Sequence, residues 1–318
     1  MRRLAAVALA LALAGAAWHA MAADTLRVGR SPGFLFAYTP LDVGIAKGFF
    51  EKRDLAIQTI DFEGAAKMDA GLVAGSIDIS LGSPMGMAMV VKGMPAVGIA
   101  VIAEPMLEFG VVVPYDSPAK SLDDLKGKTI GIATKGSITE WVALELARVK
   151  GWGIDGVKLT SLGSGSGATA SALQAHLVDA LIANATTGMV LEREKRARLL
   201  GTGADFVAHF IAHEMYATQA LVRDNPAAIR RFLEGWLEAV AFMRANRAEA
   251  IRIARTATGL NETDQGLEYD RLMQGISIDG RFDPKDIERI GQSYVELGIL
   301  PKEPEMAKLY TEAFLPKK

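Results

Sequence analysis

Residues 121–151 read SLDDLKGKTIGIATKGSITEWVALELARVKG. The apolar, β-branched run 129–133 predicts a buried strand, and 140–149 carries apolar residues at helical spacing. A Lys/Gly/Ser/Thr loop at 134–139 joins the two. Because the first N–H groups of a helix point out of its N-terminus without a partner, this loop predicts an anion site made of backbone and hydroxyl groups.

Composition indicates a large globular protein. The chain has 318 residues, of which 50% are hydrophobic and 23% charged, enough for a large core and two lobes. It contains no Cys, so its stability comes from the core and not from disulfides. A net charge of −2 gives no indication of a nucleic acid or an anionic membrane surface as partner.

The N-terminus has the pattern of a secretory signal peptide. Arg2 and Arg3 precede the apolar run Leu4–Ala17, and Ala20-Met-Ala22 supplies the small residues of a cleavage site. The run is shorter than the ~20 apolar residues of a spanning helix. We therefore predict that residues 1–22 are removed. With no Cys to carry a lipid, the mature protein is predicted to be free in the periplasm of a Gram-negative bacterium, as a monomer.

Strand patterns alternate with helix patterns along the rest of the chain, which predicts parallel βαβ units and an α/β fold. One internal repeat supports two lobes: GLVAGSIDI at 71–79 aligns with ALQAHLVDA at 172–180. In each copy a short helix leads to a strand with Asp78 or Asp179 near its start. The second copy has His176 where the first has a glycine, so we expect its turn to be built differently.

Several segments are similar to one known family. SLDDLKGK at 121–128 resembles the S-L-x-D-L-K-G-K that opens the second lobe of solute-binding proteins of the nitrate/sulfonate/taurine group, also called NMT1/THI5-like. KGFFE at 47–51 resembles the end of the family's first helix. GLVAGSIDI at 71–79 and FLEGWLEAVAFMRANRAEAIRIA at 232–254 are also similar to the family. The resemblance covers nearly the whole mature chain.

This resemblance implies a two-lobed type II periplasmic-binding-protein fold, in which each lobe is a mostly parallel sheet flanked by helices. The first lobe is expected at 23–110 with 222–318, and the second at 111–221, with Tyr216–Val222 as the second crossing. The resemblance also implies hinge closure on a small molecule, which is then presented to a membrane permease and its ATPase. We also predict no cofactor, no metal and no insertion into the membrane.

Candidate binding residues follow from the ends of the strands, where open α/β sheets bind ligands. These ends are Ser31, Gly82-Ser83, Thr134–Ser137 and Asn184, and they come from both lobes. Aromatic residues nearby offer an apolar wall, and Lys135 offers charge. The predicted ligand-binding set is Ser31, Phe34, Tyr38, Ser83, Glu108, Thr134, Lys135, Ser137, Trp141 and Asn184.

The ligand is predicted to be a small organic anion, either a sulfonate or an aromatic or aliphatic carboxylate. Helix starts at 137–140 and after Gly165 offer N–H groups to an anionic head, and the aromatic residues suit an organic body. Glu104 and Glu108 favour the alternative, a neutral or amine-bearing heterocycle such as a pyrimidine precursor.

Three other interpretations are less favoured. GSGSGA at 163–168 matches a loose dinucleotide fingerprint, but no acidic residue follows about twenty positions on, so we interpret it as a helix start facing the cleft. His209 and His213 beside Glu214 have the spacing of metal ligands on a helix, with hinge packing as the default. The family also includes a pyrimidine-forming enzyme that depends on a cysteine-bearing motif, and this chain has no Cys. We therefore predict a binding protein, not an enzyme.

Overall fold

The structure is a computed structural model that describes residues 23–31, 33, 35–163, 166–207 and 209–317. The signal peptide predicted at 1–22 lies outside these residues, and so does Phe34. Within the described part of the chain, none of the helices combines the length and the apolar character that a membrane crossing requires.

The described residues form ten strands in two sheets of five. In chain order the strands are β1 Asp24–Arg30, β2 Leu55–Asp61, β3 Ile79–Gly82, β4 Ala96–Ala103, β5 Phe109–Pro114, β6 Thr129–Ile132, β7 Lys158–Ser161, β8 Ala180–Asn184, β9 Ala197–Thr202 and β10 His213–Thr218. The first sheet contains β1 to β4 with β10, and the second contains β5 to β9. We call the units built on them the first and second lobes.

Within the described residues, eleven α-helices flank the sheets. They are α1 Thr39–Ala46, α2 Ala65–Val73, α3 Met85–Val91, α4 Ile138–Val149, α5 Ser166–Gln174, α6 Ala185–Arg193, α7 Gln219–Asp224, α8 Pro226–Ala245, α9 Arg247–Thr258, α10 Glu262–Leu272 and α11 Pro284–Glu296. The last five follow β10, after both sheets are complete.

The two sheets share one topology. Their strand orders are β2-β1-β3-β10-β4 and β7-β6-β8-β5-β9. In each sheet three parallel strands come first, and an antiparallel strand, β10 or β5, pairs with the third. The predicted parallel βαβ units and the two-lobed α/β fold are thus confirmed.

The chain passes between the sheets twice, through residues 104–108 after β4 and through 203–212 after β9. The strand that follows each crossing, β5 or β10, is the antiparallel strand of the sheet that the chain enters. The second of these strands, β10, pairs with β3 and β4. It ends at Thr218, because the hydroxyl of Thr218 accepts the Leu221 N–H at 3.1 Å and begins α7. The predicted strand Tyr216–Val222 is thus shifted towards the C-terminus relative to the observed β10, His213–Thr218. We therefore propose that the lobes divide at the two crossings and not at residues 110 and 221.

The internal repeat corresponds to equivalent elements of the two lobes. Asp78 accepts the backbone N–H of Arg27 on β1 at 2.8 Å, and Asp179 accepts that of Thr129 on β6 at 2.8 Å. The turn that we expected to differ is the same in both copies. Gly75 has φ of 67° and His176 has φ of 52°, so both residues are left-handed. The expectation of a different turn was therefore wrong, because histidine here adopts the conformation that glycine adopts without strain.

The C-terminal region contains the long helix α8. Asn225 caps this helix by accepting the Ala228 N–H at 3.2 Å, and Pro226 occupies its first position. An apolar stripe along α8 faces the core, where Phe232 stacks on Phe50 with ring centroids 5.3 Å apart. Leu237 is half-buried, while the other members of the stripe are buried, namely Ile229, Phe232, Leu233, Trp236, Val240 and Met243. The long helix α8 is thus fixed on the first lobe by its apolar face.

Candidate binding site between the lobes

A cavity lies between the two sheets. Four strands direct their carboxyl ends into it: Ser31 follows β1, Ser83 follows β3, Ala133 follows β6, and Asn184 ends β8. In open α/β sheets this edge is where ligands bind. Because two of these strands belong to each lobe, the cavity lies at the cleft that the fold predicts.

Five of the predicted site residues line this cavity. Ser31, Tyr38 and Ser83 come from the first lobe, and Ser137 and Asn184 from the second. The structure thus brings together residues that are up to 153 positions apart in the sequence, from 31 to 184. Phe34 was also predicted here, but it lies outside the described residues.

Thr134 and Lys135 do not contact the cavity. Both belong to the loop before α4, where Lys135 is exposed and Thr134 is half-buried. The loop turns at Gly136, whose φ is 78°. It is the residues after this turn, Ser137 to Thr139, that reach the cavity.

Trp141 is also absent from the cavity lining, because it joins α4 to the C-terminal region. Its indole ring is fully buried and stacks on Phe210, with ring centroids 3.7 Å apart. Its Nε1 donates to the hydroxyl of Ser293 on α11 at 2.9 Å. One turn further along α4, the buried carboxylate of Glu145 accepts from Arg289 at 2.7 Å. The sequence shows that Trp141 faces an apolar environment, but not that α11 provides it.

Glu108 lies behind the cavity wall, where it contacts His213. The Nε2 atom of His213 is 3.0 Å from Oε2 of Glu108, which is an ion-pair distance, although the angle is outside that of a hydrogen bond. The Nδ1 atom is 3.3 Å from the Tyr38 hydroxyl and 3.2 Å from the Gly82 carbonyl oxygen. The other carboxylate oxygen of Glu108 accepts the Ala37 N–H at 3.4 Å. Glu108 therefore contacts the protein on both sides and holds His213.

Glu104 lies in a different groove on the surface, beside Asp279, Asp283 and Arg281. Burial, reinforced by the neighbouring carboxyl group of Asp286, raises the pKa of Glu104 to about 8. Because neither Glu104 nor Glu108 faces the cavity, the two carboxylates that favoured an amine-bearing ligand are not available to one there.

Two capped helices direct their N-termini into the cavity. Ser137 caps α4 by accepting the Glu140 N–H at 3.5 Å, and the next two residues, 138 and 139, line the cavity. Asn184 caps α6 by accepting the Thr187 N–H at 2.9 Å. The first two N–H groups of each helix have no partner inside it, and the helix dipole makes this end positive.

Two more helices contribute their first turns. Ala65 is the first residue of α2, and Thr169 lies in the first turn of α5; both line the cavity. Gly163, at the start of the glycine-rich segment 163–168, lines it too. Of that segment, Ser164 and Gly165 lie outside the described residues. The predicted helix start at this segment is thus α5, beginning at Ser166.

Hydroxyl, amide and backbone groups, together with the imidazole of His213, make up the polar lining of the cavity. Among the described residues that line it, none is Lys, Arg, Asp or Glu. Arg30, at the end of β1, is held by Asp42 and Asp61 at 2.8 and 2.7 Å. The hydroxyl of Ser31 is buried without a hydrogen-bond partner among the described residues. A buried polar group without a partner costs free energy, so a ligand acceptor or donor at Ser31 would stabilise it.

The three residues of the metal interpretation diverge. His213 lies on a strand, β10, so its neighbour Glu214 points to the opposite face of the sheet. His209 lies 3.5 Å from Asp286 of α11, with its side chain more than half exposed. No group of three or more potential ligands converges within the described residues. The i, i+4 spacing was misleading because this segment is not a helix.

The sequence did not identify Phe109 and His213 as lining residues. Phe109 is the first residue of β5 and His213 the first of β10. Each therefore directly follows one of the two crossings, where the chain enters the cleft. Both residues could be located from the sequence as the first residues of strands that follow a crossing, but only if the positions of the crossings were known.

A cleft between two α/β lobes, with helix N-termini and hydrogen-bond donors directed into it, is suited to binding a small molecule. A family profile described as NMT1/THI5 like matches residues 36–250. The chain belongs to this family. No curated protein matches the sequence.

Solved structures show the same fold. The alkanesulfonate-binding protein SsuA from Xanthomonas axonopodis pv. citri, solved bound to MOPS, has a TM-score of 0.79 at 18% identity, covering 91% of this chain and 98% of that chain. The periplasmic aliphatic sulphonate binding protein SsuA from Escherichia coli has a TM-score of 0.75 at 21% identity, covering 91% and 92%. The desulfurization enzyme DszB has a TM-score of 0.64 at 16% identity, covering 92% and 97%. The periplasmic-binding-protein fold predicted from the sequence is thereby confirmed.

Proposed function

We propose that the protein is the substrate-binding component of an ABC importer, which captures a small organic anion in the cleft between its lobes and delivers it to a membrane permease and its ATPase. The observation that carries this proposal is the pair of capped helix N-termini, α4 and α6, that face one cavity. Family membership and the sulfonate-binding proteins of the same fold support it.

The chemistry of the lining supports an anion over a cation or an amine. Neutral donors and helix dipoles stabilise a negative head group, and the described lining offers no carboxylate to a positive one. The large apolar share of the lining, including Leu35, Met68, Ile132 and Leu181, suits an organic body, which an inorganic ion does not have. The alternative ligand, a pyrimidine precursor, was favoured by the carboxylates of Glu104 and Glu108, and neither of them lines the cavity.

We propose that the protein binds its ligand without transforming it. DszB shows that an enzyme can have this fold, and its complex with biphenyl-2-sulfinic acid was solved with a mutant in which a cysteine is replaced by serine. The chain described here contains no cysteine. We further propose that it is exported to the periplasm, cleaved after Ala22 and monomeric, as its N-terminal pattern and the periplasmic relatives of the same fold suggest.

One experiment tests these points together. The protein is purified from periplasmic extract, its mass is measured, and binding is followed by calorimetry with a panel of sulfonates, carboxylates, nitrate and pyrimidines. We expect a mass that corresponds to a start at Ala23, binding of organic anions, and unchanged ligand on recovery. Tight binding of pyrimidines with none of the acids, or release of a product, would contradict the proposal.

A matched pair of variants locates the binding. Ala133 lines the cavity, so Ala133→Phe is expected to fill it and to abolish binding. Ala56 is exposed on β2 of the first lobe, and Ala56→Phe adds the same ring away from the cleft. Unchanged binding in Ala133→Phe would show that the anion binds elsewhere.

A further inference from the structure

Three aromatic rings meet at one wall of the cavity. The rings of Tyr38 and His213 have centroids 5.3 Å apart at an interplanar angle of 73°. The rings of Phe109 and His213 have centroids 5.4 Å apart at 40°. All three side chains line the cavity. They come from the turn before α1, the start of β5 and the start of β10, so both lobes contribute to this aromatic wall.

The polar atoms of the wall face oxygen atoms of the protein. Both nitrogens of His213 face protein oxygens, Nδ1 towards the Gly82 carbonyl and the Tyr38 hydroxyl, and Nε2 towards Glu108. Burial raises the pKa of Tyr38 well above its usual range, so its hydroxyl keeps its proton. The wall therefore offers ring carbon to a ligand, and its polar atoms are directed away.

The second lobe completes the apolar part of the cavity with aliphatic side chains. Ile132 ends β6, Ile138 begins α4, and Leu181 and Ile182 lie on β8. These branched side chains pack well against either face of a flat group. The anion-binding helix starts of α4 and α6 lie at the ends of the same strands, so the head group and the body of a ligand contact neighbouring surfaces.

We propose that the bound anion carries an aromatic ring, which packs against Tyr38, Phe109 and His213 while its sulfonate or carboxylate group faces the N-termini of α4 and α6. This inference rests on the proposed function and names its substrate class, an aryl sulfonate or aryl carboxylate. Aromatic pairs in edge-to-face or offset geometry are favoured beyond the area that they bury. Several such contacts correspond to an affinity advantage of about tenfold over a saturated ring of the same size.

Matched ligands isolate the ring from the head group. Calorimetry compares benzenesulfonate with cyclohexanesulfonate, and benzoate with cyclohexanecarboxylate, so that only aromaticity changes within each pair. Hexanesulfonate is added as an open-chain anion. We expect the aryl member of the better-bound pair to bind about tenfold more tightly.

Variants test the wall itself. Phe109→Leu keeps an apolar side chain but removes a ring, so it should reduce the aryl advantage several-fold while leaving the cyclohexyl ligands nearly unchanged. Phe242→Leu removes a ring from α8, away from the cavity, and should leave the aryl advantage intact. Thermal unfolding of both variants checks that each is folded.

A measurement on the unmodified protein complements the variants. In ¹³C-histidine NMR, bound benzenesulfonate should shift the ring signals of His213 through its ring current, and cyclohexanesulfonate should not. The His176→Gly and His209→Gln variants each lack one exposed histidine, so together they assign the remaining signals to His213.

The outcomes separate this inference from the proposed function. Equal affinity for aryl and cyclohexyl ligands, or binding of hexanesulfonate alone, would overturn the aromatic substrate class and leave the anion-binding function standing. Failure of every anion to bind would overturn both. An aryl advantage that persists unchanged in Phe109→Leu, without a ring-current shift at His213, would show that the ring binds away from the wall.

Discussion

His176 occupies a left-handed position that glycine occupies in the first lobe. Its φ of 52° matches the 67° of Gly75, and a side chain at Gly75 would meet no atom within 4 Å. A side chain at these positions therefore costs free energy through the backbone, because the left-handed region is about 1–2 kcal/mol less favourable for residues other than glycine. Glycine avoids this cost, but it offsets part of the gain because it loses more conformational entropy on folding.

We predict that His176→Gly stabilises the protein by about 0.5–1 kcal/mol, because the strain is removed and only an exposed contact with Asp116, at 3.9 Å, is lost. Gly75→His, the mirror change, should destabilise it by a similar amount. Denaturant unfolding of the two variants measures both. A loss of stability in His176→Gly would mean that the imidazole makes a contribution larger than the strain.

At the scale of the element, the N-terminus of α4 combines a structural and a binding role. The hydroxyl of Ser137 donates to the Thr134 carbonyl at 2.6 Å, accepts the Glu140 N–H, and lies 2.8 Å from the Thr139 hydroxyl. Thr139 in turn accepts the Ala133 N–H at 2.8 Å. This network holds the first turn of the helix open towards the cavity.

We predict that Ser137→Ala costs about 1 kcal/mol of stability and also weakens anion binding several-fold, since the helix start loses its cap. Asn225→Ala removes a comparable cap from α8, away from the cavity, and should cost stability without changing affinity. Thermal unfolding and calorimetry on both variants provide the comparison. Unchanged affinity in Ser137→Ala would show that this helix end does not contact the ligand.

Elements were predictable from the sequence where a local pattern defines them. Spacing and residue type alone predict the strand β6, the loop to α4, and the paired Asp78 and Asp179. The errors have a common cause in long-range packing. Trp141 has the pattern of any apolar helix residue, and only the position of α11 shows that it packs away from the cleft.

The candidate binding site was also predictable only where local patterns and strand topology define it. Residues at strand ends, such as Ser31, Ser83 and Asn184, were predictable because the topology of parallel strands brings these ends together. Phe109 and His213 were not, because their role depends on where the chain crosses between lobes. Glu108 was predicted to contact the ligand, yet it pairs with a histidine 105 positions later in the printed numbering, a partner that no local pattern indicates.

At the scale of the whole molecule, buried acids govern how stability depends on pH. Glu214 is fully buried, and its carboxyl oxygens find no hydrogen-bond partner among the described residues. Burial raises its pKa from the usual 4.5 to about 8, against a weaker opposing effect of the Tyr216 hydroxyl. Burial is also the main reason why the pKa of Glu104 is raised to about 8 and that of Asp69 to about 6.

Each of these groups holds its proton more tightly in the folded protein than in the unfolded chain. Their contribution to stability is therefore fully present below about pH 4 and is lost as the pH rises towards 8. We predict that the free energy of unfolding falls between about pH 5 and pH 8 by a few kcal/mol at most. Glu214→Gln should match the wild type at about pH 5 and exceed it at about pH 8. Urea unfolding at the two pH values measures this, and an identical pH slope in the variant would contradict it.

For a protein that works as proposed and closes its two lobes on the ligand, the aromatic wall is divided between the two moving parts. Phe109 belongs to the second lobe and pairs across the sheet with Asn184, the cap of α6, so this ring moves together with the helix starts of α4 and α6. Tyr38 and His213 belong to the first lobe. The head group can thus be bound by the second lobe in the open form, and the aromatic wall is completed only on closing. A permease that accepts closed molecules would then select its cargo by the ring, while the head group decides which molecules enter the cleft at all.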